Sequence, residues 1–286
     1  MVAPFEGVGL EVAFYSVDYI GDCLHQDISS ALKCDVVLVM SYFGMSTTPQ
    51  VPQDYRGVVI EDITHSLLSV HRCKSADYRF GSLRKWCGVW TGGFAWRIDR
   101  APLAVNPEPC NQKYVNLRKQ AMKEKDAYMA SGEGSKGYLT TFSKAEDWLD
   151  SNNMPMYADP RDESLGRYLD VYEMRKSRCA NAASLLNGLL GIPGITPVFT
   201  VLQDDFCPLF VPVLLNGVEE RDSLRRYLIE NDVYCPIHWP ISHLHVLDDE
   251  TQLFYKKSLS LVCDQRYDIE DMQKIVELIQ SWQKTN

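Results

Sequence analysis

Val58-Val59-Ile60-Glu61-Asp62-Ile63-Thr64-His65, followed downstream by Ser82-Leu83-Arg84-Lys85 and then Gly92-Gly93, is the stretch that decides the fold. Val58, Val59 and Ile60 form a β-branched apolar run, which predicts a buried strand. Asp62 then falls at the carboxyl end of that strand. Residues 78–83 predict the next strand, which carries Lys85 to the same edge of the sheet. In open α/β sheets that edge is where ligands bind. An amine there, faced by an acid from the neighbouring strand, suits a Schiff-base site for pyridoxal phosphate. The amine takes the aldehyde, and the acid keeps the pyridine nitrogen protonated so that the ring can act as an electron sink.

Each residue alone has a plainer explanation. A lysine is usually a solvated surface group, an acid after a strand is commonly a cap or turn former, and Gly92-Gly93 can be a simple turn. Their order and spacing, taken together, agree with one chemistry.

These residues resemble the DegT-like aminotransferases, the sugar-aminotransferase branch of the fold-type-I pyridoxal-phosphate enzymes. The likeness rests on Asp62-x-x-His65, Ser82-x-x-Lys85 and Gly92-Gly93, and extends over nearly the whole chain. Residues 12–18 (VAFYSVD) resemble the strand before a turn typical of that family, and residues 36–44 (VVLVMSYFG) resemble the strand ending in its Tyr-Phe-Gly turn. Downstream, His238-Trp239-Pro240, Asp264-Gln265-Arg266-Tyr267 and Glu270-Asp271-Met272 resemble the small C-terminal domain of a subgroup with a Ser-Leu-Arg-Lys-Trp lysine motif.

The resemblance implies a fold and a set of roles. The fold is α/β: a fold-type-I aminotransferase-like large domain with a mixed, mostly parallel sheet, plus a small C-terminal α+β domain. Pyridoxal 5'-phosphate is the implied cofactor. Lys85 would form the Schiff base and carry the substrate proton, and Asp62 would pair with the pyridinium nitrogen. His65, where many relatives have Gln, would lie near the ring's phenolic oxygen. Ser82 would contact the phosphate or its surroundings. The implied reaction moves an amino group from an amino-acid donor to a keto sugar carried on a nucleotide, in a homodimer. Relatives normally have a further N-terminal segment with a phosphate-binding Gly-Ser/Thr turn and a ring-stacking aromatic. No such turn precedes Val12 here, so the expectation is weak cofactor binding and an uncovered apolar patch. The alternative is a truncated or degenerate, non-catalytic relative. Some sugar dehydratases share the scaffold but usually replace the lysine by histidine, and Lys85 argues against them.

Composition sets the outer limits. A chain of 286 residues, 45% hydrophobic and 23% charged, suits a soluble globular protein with a sizeable core. The formal net charge of −9 argues against nucleic-acid binding by bulk charge. No apolar stretch is long enough to span a bilayer, and no signal peptide opens the chain. The nine cysteines are dispersed without a Cys-x-x-Cys pair, which suits a reducing cytoplasm. His243-x-His245 near His238 lacks the accompanying cysteine or acidic ligands of a metal site, and a loop accounts for it.

Along the chain, residues 18–33 predict a connector with a short helix. Residues 111–129 predict an exposed helix whose basic side chains form a solvated face. Residues 131–137 (SGEGSKG) predict a flexible connector, since the stretch lacks the ending and the preceding strand of a phosphate loop. Residues 142–149 predict a helix, and 165–190 a single long one with Leu169, Tyr172, Leu185, Leu186 and Leu189 inward. Strands are predicted at 198–202, 209–215, 233–239 and 258–263, and helices at 219–231 and 268–284. The division is expected at residue 160, with 1–160 a partial cofactor-binding domain and 161–286 the small domain.

Overall fold

A computed structural model describes residues 2–20, 23–104, 107–132, 135–152, 154–238 and 246–285. The chain forms two compact units: Met1–Gly81 together with Asp170–Asn286, and Ser82–Leu169. These units cut across the linear division at residue 160, because the segment after Asp170 packs with the segment before Gly81.

The first unit begins with a short helix α1 (Val2–Gly7) and an antiparallel ribbon of β1 (Ser16–Ile20) and β2 (Cys23–Asp27). The strand expected over 12–18 starts only at Ser16, and β2 occupies part of the expected connector, whose short helix is confined to the turn Ala31–Lys33. Its sheet follows. Strand β3 (Val36–Met40) runs parallel to β4 (Val58–Asp62), and β4 runs parallel to β5 (Tyr78–Ser82). Register sets Met40 beside Asp62, and Asp62 beside Phe80. Val37, Val39 and Val59 pack into one apolar cluster with Ile28, Val51, Cys73 and Ala76, as β-branched runs in parallel sheets do.

The second unit starts at the last residue of β5. It contains β6 (Gly93–Arg97), α2 (Gln112–Ser131), α3 (Tyr138–Asp150) and α4 (Pro160–Gly166). Asn111 caps α2 by accepting the Tyr114 N–H at 3.0 Å. Part of the glycine-serine connector, residues 133–134, lies outside the described residues.

The chain then returns to the first unit with α5 (Val171–Leu189), β7 (Ile195–Pro197), β8 (Phe210–Leu215), α6 (Val218–Glu230), α7 (Asp249–Lys257), β9 (Ser258–Val262) and α8 (Ile269–Thr285). Strands β7, β8 and β9 form an antiparallel sheet. Leu185 and Leu189 of α5, Leu224 and Leu228 of α6, and Met272 and Ile279 of α8 share a core with Val211, Val213, Leu259 and Leu261 of the sheet. Phe43 and Met45 belong to the same core. Gly188 makes the α5–α8 approach possible, since a Cβ there would meet Val276 Cγ2 at 2.6 Å.

Several expected elements differ. The long helix over 165–190 is broken, because Asp170 accepts the Glu173 N–H at 3.0 Å and restarts it as α5. Tyr172 is exposed rather than inward. Residues 198–202 do not form a strand, although the Val198 N–H still donates to Pro212 O at 2.9 Å. Residues 233–238 run beside β9 without a ladder; Ser260 N–H reaches Pro236 O at 3.1 Å, and Pro236 has no N–H to return. Trp239, Pro240, His243 and His245 lie outside the described residues. Among the described residues no helix is long and apolar enough to cross a membrane.

Candidate functional site

In the first unit, Asp62 is the last residue of β4 and is buried. Its Oδ1 accepts the Thr64 N–H at 2.8 Å. Burial pushes its carboxyl above the usual range, with the neighbouring Glu61 charge acting in the same direction and the Thr64 hydrogen bonds opposing it. Glu61 meets a different environment on the other face of the strand. It is fully buried and accepts Arg79 Nε at 2.5 Å and the Cys73 N–H at 2.8 Å. Among the described residues, Asp62 has no such cation.

The edge beyond β3 is shaped by a tight turn, Tyr42–Gly44. Phe43 has φ 58° and Gly44 φ 73°, so two successive residues are left-handed. For Phe43 that conformation is strained. The turn is held by Tyr42 N–H donating to Ser46 Oγ at 2.6 Å and by the Ser41 hydroxyl donating to Ser46 O at 2.5 Å. Phe43 N–H donates to His65 Nδ1 at 3.4 Å. The His65 ring is buried and lies edge-on to His238, with centroids 5.5 Å apart. Phe210 closes on His238 at 4.6 Å. Burial raises the Tyr42 phenol well above its ordinary range, with Tyr15, Tyr255 and Asp62 adding to the effect. Asp62 and His65 therefore share the first unit with a set of tyrosines and with His238, none of which the sequence reading assigned to the site.

In the second unit, Ser82 ends β5 in extended conformation, and the turn Leu83–Lys85 follows at once. Leu83 N–H donates to Gly92 O at 2.9 Å, so the glycine pair closes the loop that begins with this turn. Gly92 has φ 106°, a conformation that favours glycine. Trp86, the next residue, is buried and anchors the turn. Arg84 donates to the Tyr114 hydroxyl and to Glu146 at 2.7 Å, and Arg118 reaches the same carboxylate at 3.4 Å. Arg118 also stacks at 4.7 Å over the Phe142 ring. Thus part of the basic face expected to be solvated is turned towards α3. Lys85 itself is exposed at its surface. Partial desolvation, then the like charge of Arg84, push its amine below the ordinary lysine range, against the pull of Glu146. Asp162, buried at the start of α4, accepts the N–H groups of Trp90 and Thr91 at 3.1 and 2.7 Å and fixes the loop after the lysine turn.

No protein-family model matches the chain, and no curated protein matches it in sequence. Solved structures do match. The PLP form of Spr1654 from Streptococcus pneumoniae, a provisionally assigned sugar aminotransferase, aligns with TM-score 0.60 at 12% identity, over 99% of this chain and 78% of its own. The sugar aminotransferase CalS13 from Micromonospora echinospora aligns with TM-score 0.59 at 14% identity, over 97% of this chain and 76% of its own. PseC from Helicobacter pylori, an aminotransferase involved in the biosynthesis of pseudoaminic acid, aligns with TM-score 0.53 at 13% identity, over 87% of this chain and 67% of its own. At these identities the likeness is one of fold, and the fold is that of the fold-type-I aminotransferases, an α/β architecture with a mostly parallel sheet.

Proposed function

We propose that the chain is a pyridoxal-phosphate-dependent aminotransferase acting on a keto sugar, with an amino acid as donor. One observation carries this reading beyond the fold. Asp62 is a buried carboxylate at the carboxyl end of a parallel strand, and no cation is paired with it among the described residues. A buried acid in that state is costly unless a positive partner arrives. A protonated pyridine nitrogen is such a partner, and the residues present fit the cofactor in this respect.

Bound pyridoxal phosphate would supply an aldehyde that accepts the amino group and a ring that spreads the electrons of the broken C–H bond. The protein's share follows from its own residues. Asp62 holds the ring nitrogen protonated. Lys85 Nζ would anchor the cofactor and would move the proton at the substrate carbon. Its depressed basicity leaves more neutral amine for both tasks. Ser82 offers a hydroxyl to the phosphate. His65, fixed against Phe43 and His238, orients the ring's oxygen side. A homodimer is what the resemblance implies, and the dispersed cysteines of the sequence favour a reducing compartment.

The test is titration of the purified chain with pyridoxal phosphate, followed by absorbance, borohydride reduction and peptide mapping. A yellow species whose reduced cofactor maps to Lys85, together with amino transfer to a keto sugar, is the expected result. A chain that stays colourless at saturating cofactor overturns the proposal and leaves a non-catalytic relative of the fold.

A further inference from the structure

Two cations stand side by side on the turn Leu83–Lys85 of the second unit, and their surroundings differ. Arg84 is engaged. Its Nη1 donates to the Tyr114 hydroxyl of α2 and to Glu146 Oε1 of α3 at 2.7 Å. Its guanidinium carbon also lies 5.8 Å from the centroid of the Tyr114 ring. Arg118 of α2 reaches the same Glu146 oxygen at 3.4 Å. Lys85, one residue on, has no hydrogen bond or ion pair among the described residues.

We infer that Arg84 and Glu146 are positioning residues for Lys85: their ion pair pins the lysine turn to the α2–α3 hairpin and occupies the nearby carboxylate, so that the Lys85 amine is left without a counter-ion. The inference rests on the reading of Lys85 as the amine that takes the cofactor.

The turn is already tied on its other side. Trp86 is buried, its N–H donates to Leu83 O at 2.8 Å, and the Cys87 N–H reaches the same carbonyl at 3.0 Å. Arg84 adds the tie to the helices. The hairpin itself does not depend on that tie, since the Thr141 hydroxyl of α3 donates to Glu124 of α2 at 2.8 Å and Arg118 stacks over Phe142. A carboxylate that already accepts from two guanidinium groups has little left to offer a third cation, and a planar guanidinium competes for it better than an ammonium does. The charges acting on Lys85 belong to this same cluster. Partial desolvation and then Arg84 lower its basicity, Glu146 opposes them, and Arg118 acts with Arg84. An amine in that position gives up its proton more readily, and only the neutral amine attacks an aldehyde.

The test titrates the full chain without cofactor. Lysines are reductively methylated with isotope-labelled formaldehyde and followed by NMR against pH at low ionic strength, where exposed charges are least screened. The Lys85 signal is the one lost in Lys85→Arg. In wild type it should titrate below the other resolved lysines. Arg84→Gln should raise its midpoint and Glu146→Gln should lower it. The lowering should be larger when Arg84 is already Gln, because Glu146 is then free to face the amine. Capture of pyridoxal phosphate at neutral pH, read by borohydride trapping, should fall several-fold in Arg84→Gln. Equal effects of Glu146→Gln in the two backgrounds would make the charges independent and overturn the inference. A wild-type Lys85 that titrates with the other lysines would do the same, even where a variant folds poorly. A chain that titrates as expected yet stays colourless with pyridoxal phosphate would count against the function proposed above and not against this pairing.

Discussion

Arg79 Nε lies 2.5 Å from Glu61 Oε2, an ion pair whose acid is fully buried. The next residue on the same strand, Asp62, is buried without a cation among the described residues. Adjacent acids on opposite faces of one strand thus have opposite fates. Glu61 serves the fold, and Asp62 is the acid proposed to meet the cofactor.

Replacing Arg79 by Leu should strand Glu61 in the interior. Breaking a buried pair from one side costs about 3 kcal/mol or more, so urea unfolding should show a loss of that order. The double variant Arg79→Leu, Glu61→Gln should recover part of it. An unchanged midpoint in the single variant would show that the pair is solvated in practice.

Asp62→Asn should behave differently. Because burial raises the folded-state pKa of Asp62, the native chain holds this proton more tightly than the unfolded chain does. Its contribution to stability is then full below the unfolded value of about 3.9. It is lost as pH rises through the elevated folded value. Without cofactor, Asp62→Asn should therefore match wild type near pH 4 and be the more stable form near neutrality. The same variant should cut amino transfer severely, since an amide cannot hold the ring nitrogen protonated. Denaturant melts at several pH values read the first effect and single-turnover rates the second. Near-normal transfer would make Asp62 a structural residue only.

Lys85→Ala should abolish the borohydride-reducible cofactor adduct. In wild type, adduct formation with pyridoxal phosphate should persist to lower pH than with Nα-acetyl-lysine, because desolvation and Arg84 favour the neutral amine. Stopped-flow absorbance across pH gives the midpoint. A midpoint equal to that of the free amino acid would remove Lys85 from its role.

Gly44→Ala should be among the most damaging small substitutions in the first unit. A Cβ at Gly44 would sit 2.1 Å from Cys207 O and 2.7 Å from His65 O, both backbone atoms. The left-handed φ adds its own cost, so a loss of about 3 kcal/mol or more is expected. Thermal unfolding measures it, and a change within error would mean that the turn rebuilds freely.

The parts of the fold legible in the sequence were those set by local, strongly patterned chemistry. The β-branched run at Val58, Val59 and Ile60 became β4, the uninterrupted helix formers after Asn111 became α2, and Gly191 marked the end of α5. Misreadings arose where one polar residue outweighed periodicity. Asp170 split a helix that the apolar spacing joined, and Asp248 opened α7 by accepting the Thr251 N–H at 2.7 Å where no helix was expected. The β1–β2 ribbon was foreshadowed only by Gly21-Asp22 between two short runs. At the candidate site, Asp62, Ser82 and Lys85 could be singled out because strand ends and motif spacing are sequence properties. Tyr15, Tyr42 and Tyr255 could not, since residues so far apart in the chain are related by tertiary packing alone.

The composition of the larger core has a consequence for synthesis. Phe43 and Met45 share one apolar cluster with Leu259, Ile279 and Trp282. A ribosome makes the first of these long before the last, and the whole of Ser82–Leu169 is translated in the interval. Throughout that time Phe43 and Met45, just after β3, lack their eventual partners. Core closure must wait for nearly the entire polypeptide, which makes this a slow-maturing nascent chain and one expected to depend on chaperones that shield aliphatic segments.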